Sequence, residues 1–126
     1  MNFPEYLFYT KDHEWIHFDD DNAFVGITDF AQKELGDIIY LDINTLNETL
    51  DKEKVFGTVE AVKTVSDLFI PITGTVLEIN SRIIELPELV NKDPYGDGWI
   101  IKIKVLNEGE QKELLSSNAY KKLICA

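Results

Sequence analysis

One lysine near the middle of the chain occupies a position where another enzyme could modify its amine. Lys63 follows the β-rich residues 55–62 and precedes residues 65–70, which also have strand character. If these two segments pair, Lys63 lies at or near the tip of a hairpin, where a side chain projects from two rigid strands. A free lysine amine has a pKa of about 10.4, so an acylating enzyme needs unobstructed access to remove its proton. A solvated lysine on a turn is the simpler alternative.

A second segment resembles the zinc-binding sequence of metal hydrolases. Residues 13–17 read His-Glu-Trp-Ile-His, and this pattern works on a helix, where both histidines bind one zinc ion and the glutamate activates water. Here the surrounding pattern predicts a strand, on which residues four apart are separated by ~13 Å. The chain contains only two histidines, so a third histidine ligand is not available either. A zinc hydrolase using His13, Glu14 and His17 is therefore a distant alternative.

Short strands separated by turns make up most of the predicted elements around these two segments. Strands are predicted at residues 13–18, 23–27, 37–43, 55–62, 74–79 and 99–105. Thr28 and Asp29 are typical of a helix start and Gly36 of a helix stop. Residues 44–52 indicate a loop, and two short helices are predicted at 110–115 and 118–124. This pattern predicts a mainly β sandwich or barrel with a few short helices, including at the C-terminus.

An internal repeat links the lysine segment to a later one. Residues 57–63 read Gly-Thr-Val-Glu-Ala-Val-Lys, and residues 74–80 read Gly-Thr-Val-Leu-Glu-Ile-Asn, so three of seven positions are identical. We interpret the repeat as two similar strand-and-turn units that pair about a pseudo-twofold axis. Lys63 and Asn80 would then occupy equivalent turn tips.

Composition limits the possible partners and compartments. A chain of 126 residues with 44% hydrophobic residues predicts a single domain over residues 1–126. The net charge of −11 argues against a nucleic acid partner and favours basic protein surfaces. One cysteine, Cys125, excludes an internal disulfide. Neither a signal peptide nor an apolar run of about 18 residues is evident, so we expect a reducing compartment and no membrane partner.

Several motifs, in one order along the chain, resemble the glycine cleavage system H proteins, a family of lipoyl carriers. The lysine region carries the strongest likeness, at residues 59–68 and 71–80, and Met1 is the only methionine, which favours lipoyl over biotin carriers. The other similar motifs lie at residues 13–15, 25–28, 35–38, 87–91 and 94–99. The likeness runs from about residue 13 to residue 123. It implies a lipoyl-type β sandwich or hybrid barrel.

The resemblance also implies that this chain acts as a carrier and catalyses no reaction by itself. It implies that lipoate is attached covalently to Lys63 by a lipoate-attaching enzyme. The arm would then receive an aminomethyl group from a glycine decarboxylase (the P protein), deliver it to an aminomethyltransferase (the T protein) and be reoxidised by dihydrolipoamide dehydrogenase (the L protein). The expected location is a bacterial-type cytoplasm, or the mitochondrial matrix if the chain is a processed eukaryotic protein.

Four acidic residues receive roles from the resemblance. Glu14 and Asp67, with help from Asp12, are expected to line a groove that shelters the loaded arm from water and binds its cationic amine. Glu60 is expected to contribute to recognition around the lysine. No metal ligand and no catalytic residue is expected.

Two further interpretations of the sequence remain open. An H-like protein that serves mainly as a lipoyl or octanoyl relay in protein lipoylation would have an almost identical sequence. A β-sandwich interaction module whose lysine is never modified is a structural alternative.

Overall fold

The computed structural model describes residues 1–125, and its strands form two antiparallel sheets. The larger sheet has six strands in the order β1-β2-β3-β9-β8-β5, and the smaller has three in the order β4-β6-β7. The strands are β1 (Phe8–Tyr9), β2 (Glu14–Asp19), β3 (Asn22–Ile27), β4 (Ile38–Asp42), β5 (Thr49–Leu50), β6 (Val55–Ala61), β7 (Val65–Phe69), β8 (Gly74–Ile79) and β9 (Ile101–Val105).

Short helices connect several of the strands, and two more follow the last strand at the C-terminal end of the chain. They are α1 (Asp29–Leu35), α2 (Ser81–Glu85), α3 (Leu89–Lys92), a 3₁₀ helix (Glu108–Glu113) and α4 (Ser117–Cys125). The mainly β fold with short helices, including one at the C-terminus, is therefore confirmed. Within the part of the chain that the structure describes, no helix is both long and apolar enough to span a membrane.

Helix α1 begins and ends at residues that the local sequence explains. Thr28 begins α1, because its side-chain hydroxyl accepts a hydrogen bond from the Ala31 amide at 3.1 Å. Gly36 ends the helix with φ +78° and ψ −156°, a conformation that is open to glycine and strained for other residues. The predicted helix between these two residues is thus confirmed.

Apolar side chains from both sheets meet in one core. Ile16, Val25 and Ile103 from the larger sheet and Leu41 and Val59 from the smaller one belong to the same buried cluster. A second cluster holds Leu7, Tyr9, Trp15 and Tyr120, and it packs α4 against the larger sheet. Burial of such side chains stabilises the fold by roughly 1.5–3 kcal/mol each.

The structure differs from the sequence-based prediction in five places. The predicted loop at residues 44–52 contains the two-residue strand β5, and the predicted helix at 110–115 is the 3₁₀ helix Glu108–Glu113. Helices α2 and α3 were not predicted, because five and four residues are too few to show a helical period. Asn80 is not a hairpin tip: it is buried and caps α2.

Candidate functional site

Lys63 lies in the tight turn that joins β6 to β7. The two strands pair from Val55 opposite Phe69 to Glu60 opposite Val65. The Ala61 amide donates to the Thr64 carbonyl at 2.8 Å, which closes the turn, and the Val62 amide donates to the Asp37 carbonyl at 3.1 Å. Lys63 itself is exposed. The amine is therefore presented by a turn that is fixed both internally and against the start of β4.

The Lys63 side chain passes beside the C-terminal end of α1. A Cβ atom built on Gly36 would lie 3.5 Å from Lys63 Cε and 4.0 Å from Nζ. Leu35, the residue before Gly36, lines a cavity between α1 and the hairpin. The amine thus lies beside the end of helix α1, whose last residue lines the cavity.

The cavity has a volume of about 440 Å³. Its walls come from α1, from the hairpin strands β6 and β7, and from the segment that leads into β2. The three acidic residues predicted to form a groove all line it. The full lining is Asp12, His13, Glu14, Ile27, Phe30, Ala31, Glu34, Leu35, Val59, Ser66, Asp67 and Leu68.

Glu14 is the most buried of the three acids, with 2% of its surface exposed. Its Oε1 accepts from the Thr10 hydroxyl at 2.9 Å, and its Oε2 accepts from the Phe69 amide at 3.1 Å. The carboxyl group thereby ties β2 of the larger sheet to the end of β7 in the smaller one. Burial raises the pKa of Glu14 to about 8, although these two hydrogen bonds oppose the rise.

The other predicted acids lie in different surroundings. Asp12 and Asp67 are exposed at the cavity. Glu60 is exposed on the outer face of the smaller sheet, where it lies between Tyr40 on β4 and Val65 on β7. The structure therefore brings Asp12, Glu14 and Asp67 together and leaves Glu60 outside the cavity.

Sequence reasoning missed most of the cavity wall, including Phe30, Glu34 and His13. Phe30 and Glu34 lie one helical turn apart on α1, so the spacing i, i+4 within the predicted helix could have placed them on one face. His13 was considered only as a metal ligand. In the structure its ring packs 5.0 Å from that of Phe30, and its Nδ1 lies 2.8 Å from the hydroxyl oxygen of Tyr120.

The geometry of the two histidines does not favour a zinc site. His17 lies on strand β2, where its ring packs 5.4 Å from that of Tyr6. His13 precedes this strand with φ +68° and contacts α1 and α4 instead. Among residues 1–125, no group of three or more potential ligands is placed to hold a metal ion. The His-Glu-Trp-Ile-His pattern requires a helix, whereas here residues 14–17 lie on strand β2 and His13 precedes it.

Comparison with known proteins places this geometry in a family. Residues 7–126 match the family described as Glycine cleavage H-protein. The chain is 54% identical to the glycine cleavage system H protein of Bacteroides thetaiotaomicron, over 98% of both chains. It is also 54% identical to that of Bacteroides fragilis, over the full length of both.

A solved structure agrees with these sequence relatives. The crystal structure of a glycine cleavage system H protein from Mycobacterium marinum superposes with a TM-score of 0.87 at 33% identity, and the match covers 98% of this chain and 99% of that one. Sequence and architecture therefore agree over nearly the whole chain, and the protein belongs to the glycine cleavage H-protein family.

Proposed function

We propose that this chain is the lipoyl carrier of a glycine cleavage system and that Lys63 carries the lipoyl group. The observation that supports this most directly is the position of Lys63, exposed on a fixed hairpin turn beside the end of helix α1, which forms one wall of an acid-lined cavity. Attachment by the lipoate-attaching enzyme condenses the lipoate carboxyl group with Nζ to an amide, with net loss of water, and removes the charge of the lysine. When bound, lipoate supplies a dithiolane that takes up electrons together with the aminomethyl group of glycine.

The residues around Lys63 fit such an arm. A cavity of about 440 Å³ is within the range of small-molecule sites. Phe30, Leu35 and Leu68 give it apolar walls that exclude water from the end of the arm. Strand β7 of the hairpin is an edge strand of the smaller sheet and Lys63 is exposed, so the turn can be reached by an enzyme that approaches from outside.

The acids of the cavity suit the cationic amine of the cargo. Asp12 and Asp67 are exposed to the cavity and can pair with an ammonium group there. Glu14 already accepts two hydrogen bonds, and an ionised carboxylate has room for about two more. Because burial raises the pKa of Glu14 to about 8, an entering ammonium group would favour ionisation of Glu14 and release its proton.

In this role the chain positions and shelters the arm, and partner enzymes do the chemistry. The proposed partners are the glycine decarboxylase, the aminomethyltransferase, the dihydrolipoamide dehydrogenase and the lipoate-attaching enzyme. Glu60, exposed beside the hairpin, would contribute to recognition by the last of these. The relatives named above are bacterial, which supports the expected bacterial cytoplasm.

Intact mass measurement tests the attachment site. The wild type, Lys63→Arg and Lys33→Arg are each co-expressed with a lipoate-attaching enzyme. Lys33 is an exposed lysine on the neighbouring helix α1 and serves as the matched control. The wild type and Lys33→Arg should gain one lipoyl-sized increment, and Lys63→Arg should gain none. An increment that persists in Lys63→Arg would refute the site.

A further inference from the structure

A buried chain of hydrogen bonds connects the C-terminal helix to the wall of the cavity. The Tyr120 hydroxyl oxygen on α4 lies 2.8 Å from His13 Nδ1 and 2.8 Å from Thr28 Oγ1. Tyr120 and Thr28 have no exposed surface. Thr28 also begins α1, which forms another wall of the cavity. One phenol therefore joins three elements around the proposed arm site.

The available partners determine the direction of these hydrogen bonds. Thr28 Oγ1 already accepts from the Ala31 amide, and Tyr120 is the acceptor within reach of the Thr28 hydroxyl hydrogen. If Thr28 donates to Tyr120, the Tyr120 hydrogen is left to donate to His13 Nδ1. Every hydroxyl in the chain of hydrogen bonds then has an acceptor, as buried polar groups require. Nδ1 is consequently the acceptor nitrogen, and Nε2 carries the imidazole proton.

A protonated His13 would break this arrangement. Its Nδ1 would then donate to Tyr120, whose hydrogen would have to point at Thr28. The buried Thr28 hydroxyl would be left without an acceptor, which is unfavourable. The chain of hydroxyl groups therefore opposes a charge on the imidazole.

We propose that Tyr120 is a positioning residue that holds His13 as the neutral Nε2–H tautomer in the wall of the arm cavity. The ring is fixed from two sides, because it packs on Phe30 while Nδ1 is bound to Tyr120. Nε2 has no hydrogen-bond partner among residues 1–125, so its N–H is available to an acceptor on the arm. This proposal rests on the proposed function only for its effect on the arm.

A neutral His13 matters because the cavity is to hold a cation. The charged or titratable groups around the ring are Asp12, Glu14 and Glu34 beside it, Asp67 on β7 and Tyr120 on α4. Burial lowers the pKa of His13, while the negative charges of Asp12 and Glu34 oppose that effect. Burial also raises the pKa of Tyr120 to about 12, so its hydroxyl remains a donor at neutral pH. The carboxylates of the cavity can then pair with the ammonium group of the arm, because a neutral His13 does not compete for them.

Nitrogen NMR on the histidine-labelled protein tests the tautomer directly. In the wild type, His13 should show a protonated Nε2 and an unprotonated Nδ1. Tyr120→Phe keeps the ring that stacks 4.9 Å from Tyr9 but removes the hydroxyl. His13 should then exchange between tautomers and accept a proton at higher pH. His17, the other histidine, lies exposed on β2 and is the internal reference.

Tyr9→Phe is the matched control, since it removes a buried hydroxyl of the same cluster that donates to the Pro4 carbonyl instead. It should leave the His13 signals unchanged. An Nδ1–H tautomer in the wild type would overturn the proposal, and this measurement needs no variant. The same tautomer and titration in Tyr120→Phe as in the wild type would also overturn it.

The effect on the arm is measured with the lipoylated proteins after loading with the aminomethyl group. At pH 6, Tyr120→Phe should lose that group about 2- to 10-fold faster than the wild type and Tyr9→Phe, the range expected for one net hydrogen bond. Equal rates despite an altered tautomer would overturn the link to the arm. The NMR result is obtained on the unmodified chain, so a wrong attachment site and a wrong role for Tyr120 give different outcomes.

Discussion

Gly57 and Gly74 begin the two copies of the internal repeat, and both pack against a backbone carbonyl of a neighbouring strand. A Cβ atom would lie 2.7 Å from the Asp42 carbonyl oxygen at Gly57 and 2.6 Å from the Lys104 carbonyl oxygen at Gly74. Val59 and Val76, the third residues of the copies, are both buried. The shared part of the repeat is therefore the part that packs into the core.

The two copies then diverge. In the first, burial alternates from Gly57 to Ala61, and the chain reverses at Lys63 into the edge strand β7. In the second, the pairing register shifts between Val76 and Glu78, and the chain enters α2 at Asn80. A similar strand thus leads to an exposed turn in one case and a buried cap in the other. The element after the strand, and not the repeated motif, determines whether the seventh residue is accessible.

The largest effect that separates the two copies is expected at Asn80. Its Nδ2 donates to the carbonyls of Asp97 and Trp99 at 2.8 and 2.7 Å, and its Oδ1 accepts from the Arg82 amide at 3.1 Å. Asn80→Ala leaves these groups without their partner and should lower the free energy of unfolding by about 2–4 kcal/mol. Urea unfolding monitored by tryptophan fluorescence measures the change.

Lys63→Ala is the control at the equivalent position of the repeat. Because Lys63 is exposed, its replacement should change the free energy of unfolding by less than about 0.5 kcal/mol. If Asn80→Ala and Lys63→Ala lost equal free energy of unfolding, the two residues would stabilise the fold equally, and the distinction between a buried cap and an exposed turn would be wrong.

Substitution of the two glycines tests the part that the copies share. In Gly57→Ala and Gly74→Ala, the new methyl group meets a backbone oxygen that cannot move without its strand. Each variant should lose about 1–3 kcal/mol of unfolding free energy, with similar values for the two. Gly109→Ala is the control, because its nearest contact is the side chain of Asn107 at 3.2 Å. If one glycine tolerates alanine as well as Gly109 does, the copies do not share this packing.

Sequence patterns predicted those features of the site that depend on neighbouring residues. The start of α1 at Thr28, its end at Gly36 and the reversal of the chain at Lys63 all follow from local caps, turns and alternation. The contact between His13 and Tyr120 joins residues 107 positions apart, so no local pattern could indicate it. The burial of Glu14 could not be predicted either, because a strand with the same sequence could equally lie on the surface.

The two turns also differ in how their surroundings respond to pH. The strand that leaves the Lys63 turn is anchored at Phe69 by Glu14, a titratable group, whereas Asn80 anchors its own turn with an amide. The pKa of Glu14 is raised from its ordinary value of 4.5 to about 8, so between these values the folded protein binds the proton and the unfolded chain does not. The contribution of Glu14 to stability is therefore greatest below about pH 4.5 and declines as the pH rises towards 8.

Glu14→Gln should remove this decline, since glutamine keeps an oxygen for the Phe69 amide but has no proton to lose. Between pH 6 and pH 7, the free energy of unfolding of the wild type should fall by about 1 kcal/mol more than that of Glu14→Gln. Asp67→Asn, which changes an exposed acid of the same cavity and keeps Glu14, should retain the slope of the wild type. Parallel curves for the wild type and Glu14→Gln would show that Glu14 is ionised in the folded protein, and both turns would then have anchors that are insensitive to pH in this range.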